Sequence, residues 1–487
     1  MGFDALQRMD VCLRPDPSRV LIRFFAPHSS DRIERVLARI MVLDEATIQK
    51  RLAFVMEYFE ERHSNIRPIL IRHYDKVASH MSTDLEPSEP RKLLLGAYFT
   101  SEFAMESAAL FNPSIVPHPD QSGLQEGALR IVLSLRATGE GHISSVEFRC
   151  GVIDSDFNIH IEDPGDFVTE PEIIQNPTYD KKVFSLKLYE LGYKNDTTRK
   201  ILSGLSEAFS LEQLLSRIDE VLQASPYRSR SFGETLTAIR SLAEANYEVC
   251  FSTDQPLAER VIFPHMGQGR KSIEDARFVC FDHGEDGGST YYATYTAYDG
   301  HTFLPQLLET KDFTRFRFIT LNGEGVQNKG MALFPRQING RYAMLSRQDN
   351  ENIFIMFSDS IHFWHERQLV MKPSFPWEYV QLGNCGSPIE IDEGWLVLTH
   401  GVGAMRRYCI GAILLDRDDP TRVIGRLEEP LLEPNENERE GYVPNVVYTC
   451  GGLVHQDKLV VPYAMSDYAT SIARVDLQQL VQALKSK

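Results

Sequence analysis

The sequence predicts an all-β core, folded as a five-bladed β-propeller, with an N-terminal helical segment and a helical insertion. Most of the chain consists of short apolar runs that end in Gly, Asp, Asn or Pro, which is typical of strands and turns. Five similar strand-like segments recur along it. At 487 residues the chain exceeds what one hydrophobic core usually supports, which favours a repeat-built domain with added segments.

The five recurring segments share one plan, an apolar or aromatic strand that ends in polar residues. They cover residues 130–139, 291–300, 341–350, 395–404 and 459–468. The last four begin 50, 54 and 64 residues apart, close to the period of a four-stranded propeller blade. Five repeats predict five blades. A β-sandwich, or two sheets whose strands are similar by chance, is the alternative.

Apolar residues at helical spacing predict helices between residues 30 and 81 and again between about 197 and 247. The second stretch interrupts the strand pattern and is interpreted as an insertion. The predicted organisation is an N-terminal helical segment (1–90), a propeller catalytic domain (91–475) that contains the insertion, and a C-terminal helix (476–487).

Charge and composition exclude several classes of partner. The chain has 51 Lys and Arg against 68 Asp and Glu, a net charge of −17, which disfavours nucleic acid and anionic membranes. No run of about twenty apolar residues occurs, and charges interrupt the N-terminus, so we expect a soluble cytoplasmic protein. Seven scattered cysteines without a C-x-x-C pair predict reduced thiols, and no metal site is expected.

Polar residues at the ends of the repeats are the first candidates for a site. In a propeller, equivalent strand ends converge at one mouth of a central channel. Arg136 and Arg347 occupy the same place in two repeats, His400 lies at the end of a third, and Asp467 closes the last. The structural alternatives are that the arginines form salt bridges between blades, that His400 is a buried core imidazole and that Asp467 forms a turn.

Two further candidates depend on neighbouring charges. Lys329, together with Arg347 and His400, would form a cationic pocket suited to a phosphate-like anion, unless the three are unrelated surface charges. Asp275 follows another acid and precedes Arg277 by two residues. It is a candidate general acid if its surroundings raise its pKa, and otherwise a turn or salt-bridge residue.

An ordered set of short motifs resembles glycoside hydrolase family 130. The motifs are Phe111-Asn112-Pro113-Ser114, Leu135-Arg136-Ala137, Ile273-Glu274-Asp275-Ala276-Arg277, Asn328-Lys329, Leu333-Phe334-Pro335, Leu345-Ser346-Arg347, Gly394-Trp395-Leu396, His400-Gly401-Val402, residues 441–445 and residues 463–467. Apart from the insertion, the resemblance covers about residues 95–475. It implies a five-bladed propeller and an enzyme of the class of mannoside phosphorylases and β-1,2-mannosidases.

The resemblance also implies roles for individual residues. Asp275 is the implied general acid, acting through the 3-hydroxyl of the mannose to be transferred. The implied phosphate ligands are Lys329, Arg347 and His400, and the implied sugar ligands are Asn112, Arg136, Tyr408 and Asp467. Two positions depart from the family pattern: Ala276 replaces a proline, and Gly330 replaces a common aspartate.

The expected function is inverting phosphorolysis of β-mannosides by a glycosyltransferase-type phosphorylase. β-1,2-linked manno-oligosaccharides are the expected substrates, α-mannose 1-phosphate the product and inorganic phosphate the co-substrate, with no other cofactor. An inverting β-1,2-mannosidase would need a second carboxylate, for which Glu102, Glu106 and Glu324 are candidates. A non-catalytic carbohydrate-binding propeller is the third alternative. The helical parts are candidates for capping the propeller, shaping the acceptor side or forming a homo-oligomer.

Overall fold

The computed structural model describes residues 3, 5–81, 86–174, 178–224, 229–264, 272–284, 287–298 and 303–486. Within these residues the fold is mostly β, and most helices lie in two stretches of the chain. The mostly-β part of the fold prediction is confirmed. In the part of the chain that the structure describes, the strands form several sheets, none of which closes on itself.

The N-terminal segment combines two strands with a small bundle of helices. Strand β2 pairs antiparallel with β3, and the four helices lie between them in sequence. The helices bury Leu37, Ile48 and Leu70 among other apolar side chains, and Asp44 caps α2 by accepting a hydrogen bond from the Thr47 N–H. The elements are β1 (Leu6–Leu13), β2 (Val20–Phe24), α1 (Ser30–Met41), α2 (Glu45–Phe59), α3 (Ile66–Asp75), α4 (Glu89–Tyr98) and β3 (Thr100–Ala104).

The helical insertion follows the first group of strands and has a hydrophobic core of its own, which includes Phe184, Ile201 and Ile218. The first group, called group 1, is β4 (Ala109–Pro117), β5 (Leu129–Thr138), β6 (Ser144–Ile153) and β7 (Ile159–Ile161). The insertion contains β8 (Glu172–Ile174), β9 (Thr178–Asp180), α5 (Lys181–Glu190), α6 (Asp196–Ser203), β10 (Ala208–Ser210), α7 (Leu211–Gln223), α8 (Arg230–Glu244) and β11 (Tyr247–Cys250).

The insertion begins earlier than the sequence predicts, because α5 precedes residue 197. In α5, Phe184, Leu186 and Leu188 alternate with other residues, a period of two that is typical of a strand. The helix forms nevertheless, since Asp180 caps it by accepting from the Val183 N–H and the insertion core buries Phe184 and Leu188.

Four more strand groups follow in chain order. Group 2 is β13 (Ser272–Asp282), β14 (Ser289–Tyr298), β15 (Phe303–Thr310) and β16 (Arg315–Thr320), preceded by β12 (Val261–Ile262), which pairs with β6. Group 3 is β17 (Ala332–Leu333), β18 (Tyr342–Ser346), β19 (Ile353–Ser358) and β20 (Gln368–Met371). Group 4 is β21 (Gln381–Asn384), β22 (Ile389–Ile391), β23 (Gly394–Val402), β24 (Tyr408–Leu415) and β25 (Val423–Arg426).

Group 5 joins the two ends of the chain, because β1 pairs antiparallel with β29. The group is β26 (Val447–Tyr448), β27 (Leu453–His455), β28 (Lys458–Met465) and β29 (Ala469–Asp476), and α9 (Leu477–Lys485) follows it. Strand β1 was not predicted, because the sequence was interpreted as a helical segment over residues 1–90. Short 3-10 helices lie at Glu60–Arg62, Ala78–His80, Glu140–His142, Leu257–Glu259, Ala404–Arg406 and Glu436–Glu438.

Each of the five recurring segments falls on a different group, at an equivalent place. They correspond to β5, β14, β18, β23 and β28, although residues 299–300 of the second segment lie outside the described residues. In group 4, β21 and β22 pair with the two ends of β23, and β26 and β27 pair with β28 in the same way in group 5. The internal similarity of the sequence therefore marks structurally equivalent strands.

Hydrophobic clusters lie between successive groups, so that each group packs against two others. Residues that share one buried cluster are Phe148 and Phe278 of groups 1 and 2, Leu307 and Leu333 of groups 2 and 3, Leu345 and Trp395 of groups 3 and 4, Leu398 and Val461 of groups 4 and 5, and Leu133 and Ile472 of groups 1 and 5. Among the described residues, no helix is both long and apolar enough to cross a membrane.

Candidate functional site

Asp275 and Asn112 lie on two strands that are bent by irregular pairing. The register of β13 shifts between Glu274 and Arg277, and that of β4 shifts between Phe111 and Ser114. Asp275 and Asn112 have positive φ angles of 53° and 48°. Such bulges redirect a side chain, and backbone strain of this kind concentrates at functional sites. The Asn112 Nδ2 donates a 2.7 Å hydrogen bond to Asp275 Oδ1.

Arg136, on β5, holds both acids of the Glu274-Asp275 pair. Its Nη1 lies 3.2 Å from Asp275 Oδ1 and its Nη2 lies 3.1 Å from Glu274 Oε1. The guanidinium also packs over the Phe111 ring, 5.1 Å from the ring centre. Because both Arg136 and Asp275 are held by several partners, their relative position is fixed before any ligand binds.

Arg277 ties three strand groups together beneath Asp275. Its Nη1 donates to the Asp275 carbonyl at 2.9 Å, its Nε to the Cys385 carbonyl at 2.6 Å and its Nη2 to the Tyr448 hydroxyl at 2.9 Å. From the sequence, Arg277 was noted only as a neighbour of Asp275, and no role was predicted for it. An arginine within an apolar strand is the signal that could have identified it, since a buried guanidinium requires partners.

Asp275 and Asp467, two acids of the site, have pKa values shifted in opposite directions. Burial opposes ionisation of Asp275, but the charges of Arg136 and Arg277 and the Asn112 hydrogen bond hold its pKa well below the usual range. Burial, followed by the charge of Asp275, raises the pKa of Asp467 to about 6. In the ligand-free protein Asp275 is therefore a carboxylate, and Asp467 is the first of the two to take up a proton.

Lys329, Arg347 and His400 form the other side of the site. Lys329 pairs with Glu274, which also pairs with Arg136, and this links Lys329 to the acids. Arg347 Nη1 donates to His400 Nε2 at 3.2 Å.

His400 differs from the sequence expectation in its charge. Burial, together with the charges of Arg347 and Arg277, holds the pKa of this wholly buried imidazole well below its usual value. The pocket therefore has two cations, Lys329 and Arg347. His400 is a neutral hydrogen-bond acceptor that orients the guanidinium.

Gly330 and Gly383 make room for the Arg347 and His400 side chains. Gly330 has φ +86°, and a Cβ atom there would lie 2.4 Å from Arg347 Nε. A Cβ atom at Gly383 would lie 2.5 Å from His400 Cε1. The departure from the family pattern at Gly330 thus has a structural reason, because the arginine occupies the space that an aspartate would need. Neither glycine was predicted from the sequence as a site residue.

Aromatic rings complete the site around His400. The Tyr408 ring is nearly parallel to the imidazole, with 6.1 Å between ring centres, and Tyr448 approaches it edge-on at 5.1 Å. Asp275, whose charge acts on His400, links this half of the site to the acidic half. The structure therefore brings all the sequence-predicted site residues together: Asn112, Arg136, Asp275, Lys329, Arg347, His400, Tyr408 and Asp467.

Several buried polar atoms in the site have no hydrogen-bond partner among the described residues. They are Asn112 Oδ1, Arg347 Nε and Asn384 Oδ1. Asn384, which sequence reasoning missed, donates through Nδ2 to the Gly330 carbonyl at 2.8 Å. Buried polar groups are normally paired, so unpaired donors and acceptors of this kind are suited to a polar ligand.

The three acids considered as a hydrolytic base have other surroundings. Glu106 is buried in ion pairs with Arg149 and Arg19. Glu102 accepts hydrogen bonds from Arg62 at 3.0 Å and His63 at 2.8 Å, and Glu324 is exposed.

Comparison with known proteins gives consistent matches. The model of glycoside hydrolase family 130, described as beta-1,4-mannooligosaccharide phosphorylase, matches residues 253–486. The 1,2-beta-oligomannan phosphorylase of Thermoanaerobacter sp. is 35% identical over 223 residues, which are 44% of this chain and 71% of that protein. The beta-1,2-mannobiose phosphorylase of Listeria innocua is 34% identical over 214 residues, 42% of this chain and 58% of that protein.

A solved structure of a Listeria innocua beta-1,2-mannobiose phosphorylase, in complex with beta-1,2-mannobiose, aligns with a TM-score of 0.46 at 23% identity. The alignment covers 78% of this chain and 93% of that chain. The sequence match to the Thermoanaerobacter phosphorylase extends over more than two thirds of that relative. The chain belongs to glycoside hydrolase family 130.

Proposed function

We propose that the protein is a mannoside phosphorylase that cleaves β-1,2-linked manno-oligosaccharides with inorganic phosphate and releases α-mannose 1-phosphate. The observation that supports the proposal most directly is that Glu274 connects the acidic and the cationic sides of the site. Glu274 pairs with Lys329 and with Arg136, and Arg136 in turn pairs with Asp275. Membership of family 130 and the names of the relatives, a 1,2-beta-oligomannan phosphorylase and a beta-1,2-mannobiose phosphorylase, support the substrate class.

We propose further that the five strand groups are the blades of a five-bladed propeller. The proposal is supported by the order of packing, in which group 1 contacts group 2 and the sequence of contacts returns from group 5 to group 1. It is also supported by the pairing of β1 with β29, because a strand from one end of the chain then completes the group at the other end.

The proposed reaction is a single displacement at the anomeric carbon. A phosphate oxygen, held by Lys329 and Arg347, forms the new C1–O bond on one face while the glycosidic C1–O bond breaks on the other. Asp275 supplies a proton to the departing oxygen, directly or through the 3-hydroxyl of the mannose. The configuration at C1 inverts. Phosphate is itself the nucleophile, so the reaction requires no carboxylate to activate water and no metal.

Asp275 must gain a proton before it can act as the acid, since its pKa in the ligand-free site lies well below the usual range. Phosphate bound beside Lys329 would offset the cationic charge that lowers this pKa, and a nearby anion disfavours a second negative charge. Assembly of the full complex thereby favours the acidic form of Asp275. We assign His400 to orienting Arg347, and Asn112, Arg136, Tyr408 and Asp467 to holding the sugar.

The hydrolase alternative receives less support from the site. An inverting hydrolase needs a carboxylate base opposite the acid, roughly 6.5–9.5 Å away. Glu106 is engaged by Arg149 and Arg19, Glu102 is engaged by Arg62, and Glu324 is exposed. Glu274, which is close to Asp275, is paired with Arg136 and Lys329, the arrangement expected of a residue that positions cations.

The test is an assay of β-1,2-mannobiose and of β-1,4-mannobiose, each with and without phosphate, that measures mannose 1-phosphate and free mannose. We expect phosphate-dependent formation of mannose 1-phosphate from the β-1,2-linked disaccharide. Release of free mannose at the same rate without phosphate would identify a hydrolase. Absence of any turnover, with the disaccharide still bound, would identify a non-catalytic binding protein.

The Asp275→Asn variant tests the assignment of the acid. General acid catalysis contributes about 10²–10⁴-fold, so turnover should fall by that factor or more, with thermal unfolding recorded to show that the variant is folded. Binding of the disaccharide should persist. A variant that keeps wild-type turnover would show that Asp275 is not the proton donor.

A further inference from the structure

A second pocket lies away from the site described above, between the helical insertion and group 2. It has a volume of about 180 Å³, and its walls come from β9, α5, β11 and the end of α8 in the insertion and from β16, the segment after β16 and His362, which lies between β19 and β20. One water takes up about 30 Å³ in the liquid, so this space is large enough for a ring the size of a monosaccharide. None of the eight predicted site residues lines it.

Asn322 gives the pocket a hydrogen-bond acceptor with a fixed direction. Its side chain donates through Nδ2 to the carbonyls of Thr320 at 3.0 Å and His362 at 3.3 Å, which fixes the orientation of the amide. Only 1% of Asn322 is exposed, and its Oδ1 has no hydrogen-bond partner among the described residues. A buried amide oxygen without a partner is destabilising, and a ligand hydroxyl would satisfy it.

His362 adds a second polar group to the same wall. Its Nδ1 is buried and has no hydrogen-bond partner within the described part of the chain. Burial, followed by the charge of Arg317, lowers the pKa of His362 to about 4, so the imidazole is neutral at physiological pH. A neutral imidazole has one donor and one acceptor, and both are suited to hydroxyl groups.

The charges around the pocket are balanced, which favours an uncharged ligand. Lys187 is 5% exposed, and its Nζ lies 3.2 Å from Glu190 Oε2. Arg317 faces Glu248, with 3.8 Å between Nε and Oε1. A bound anion would therefore meet no cation that lacks a nearby acid.

Most of the remaining lining of the pocket is apolar or aromatic, with Thr178, Asp180, Asn246 and Thr320 as the polar exceptions. Tyr179 and Phe184 come from the insertion, and Phe318 comes from group 2. Ligand pockets are typically lined in this way, by apolar and aromatic side chains with a few directed polar groups. The apolar faces of a sugar ring, with hydroxyls at its edge, match this combination.

We propose that this pocket is an accessory binding site for a neutral, polyhydroxylated ring of monosaccharide size, such as a hexose. The ligand's hydroxyls pair with Asn322 Oδ1 and His362, and its apolar face packs against Tyr179 and Phe184. The proposal does not depend on the phosphorylase function, because it rests on a different set of residues.

The experiment measures equilibrium binding of D-mannose by calorimetry, with D-glucose and D-galactose as further probes. The background is Arg136→Met, which, on the function proposed above, impairs sugar binding at the first site. Val183→Trp fills the pocket from α5 without removing a hydrogen bond of the pocket wall, and Val183 is half-buried there. Leu186→Trp is the matched control, because Leu186 is on the same helix, is 38% exposed and does not line the pocket.

We expect the Arg136→Met protein and its Leu186→Trp derivative to bind one of the three probes equally well. The Val183→Trp derivative should bind at least tenfold more weakly, with its thermal unfolding midpoint recorded to show that it is folded. If Val183→Trp does not fold, Thr178→Trp blocks the pocket from an exposed position at its edge. Absence of binding of all three probes in the Arg136→Met protein, or equal binding in every variant, would overturn the proposal.

Wild-type phosphorolysis is assayed separately, so the two proposals fail independently. If the wild-type protein formed no mannose 1-phosphate, the difference in sugar binding between the Val183→Trp and Leu186→Trp proteins would still be expected. Conversely, equal sugar binding by those two proteins would contradict the accessory site, and it would not change the turnover expected for β-1,2-mannobiose.

Discussion

Asp275 and Asp467 show how neighbouring side chains assign different charges to the same type of residue. The sequence places both at strand ends, but it cannot show that Arg136, Arg277 and Asn112 surround Asp275. These partners come from β4, β5 and β13, and they meet only after the groups pack. The identity of the acids was therefore predictable from motifs, whereas the direction of each pKa shift was not.

Asp467 should make the stability of the ligand-free protein depend on pH. Its pKa is about 6 in the folded protein, against an ordinary value of 3.8 for an aspartate, so the folded state retains a proton that the unfolded chain has lost. Stability therefore falls as pH rises from about 4 through 6. Asp467→Asn removes this cost and should stabilise the protein at pH 8 by roughly 1–3 kcal/mol, a difference that vanishes near pH 4.

Urea unfolding of the Asp467→Asn protein at pH 8 and pH 4 checks this expectation. Asp392→Asn is the control, since Asp392 is exposed and should give the same stability as the wild type at both pH values. An Asp467→Asn protein that is less stable than wild type at pH 8 would contradict the assignment.

Gly330 should be intolerant of a side chain for two separable reasons. Its φ of +86° strains any other residue, and a Cβ atom would contact Arg347 Nε. Gly340 has a similar φ of +77° but open space around it. We expect Gly340→Ala to cost about 1 kcal/mol from backbone strain alone, and Gly330→Ala to cost roughly 2–3 kcal/mol.

Displacement of Arg347 should also raise the KM for phosphate at least tenfold in Gly330→Ala and leave it unchanged in Gly340→Ala. Denaturant unfolding and initial rates at varied phosphate measure the two effects. Equal behaviour of the two variants would show that the space beside Arg347 is not limiting.

At the level of secondary structure, elements were predicted correctly where the apolar residues follow a single periodicity. The prediction failed where the local periodicity differs from the structure that tertiary packing stabilises. Five equivalent strands were recognised from their shared plan. In α5, a period-two pattern concealed a helix, which forms because the insertion core and the Asp180 cap stabilise it. Strand β1 was missed because its partner, β29, lies at the opposite end of the chain.

The insertion supports the active-site side through the end of α5. Glu190 Oε1 accepts a 2.8 Å hydrogen bond from the Gly323 N–H, at the start of the segment that leads to Lys329. Glu190→Ala removes this anchor and the partner of Lys187. We expect a loss of about 1–3 kcal/mol in unfolding free energy and a several-fold higher KM for phosphate, with kcat little changed.

The matched control is Glu234→Ala, which removes an exposed ion pair with Arg230 on α8. It should change the unfolding free energy and the KM for phosphate little. Steady-state rates at varied phosphate and thermal unfolding distinguish the two variants. An unchanged KM in Glu190→Ala would indicate that the segment carrying Lys329 is positioned without help from the insertion.

At the scale of the whole molecule, the N-terminal segment is attached to group 1 by buried charges. Arg19, from the N-terminal segment, pairs with Glu106 and with Glu147 of β6, and Arg149 of β6 pairs with the same two acids. The predicted boundary near residue 90 does not reveal this contact, because Arg19, Glu106 and the Glu147–Arg149 pair lie far apart in sequence. Their full burial makes the cluster depend on the balance of its charges.

Removal of one cation should therefore destabilise the whole protein. Arg149→Met retains much of the apolar stem but leaves Glu106 and Glu147 with Arg19 alone, and breaking a buried ion pair costs about 3–5 kcal/mol. Arg341→Met removes an exposed pair with Asp359 and should cost less than about 1 kcal/mol. Urea unfolding at pH 7 compares the two. A small loss for Arg149→Met would mean that the N-terminal segment is held mainly by its apolar contacts, such as that of Leu21 with Val261.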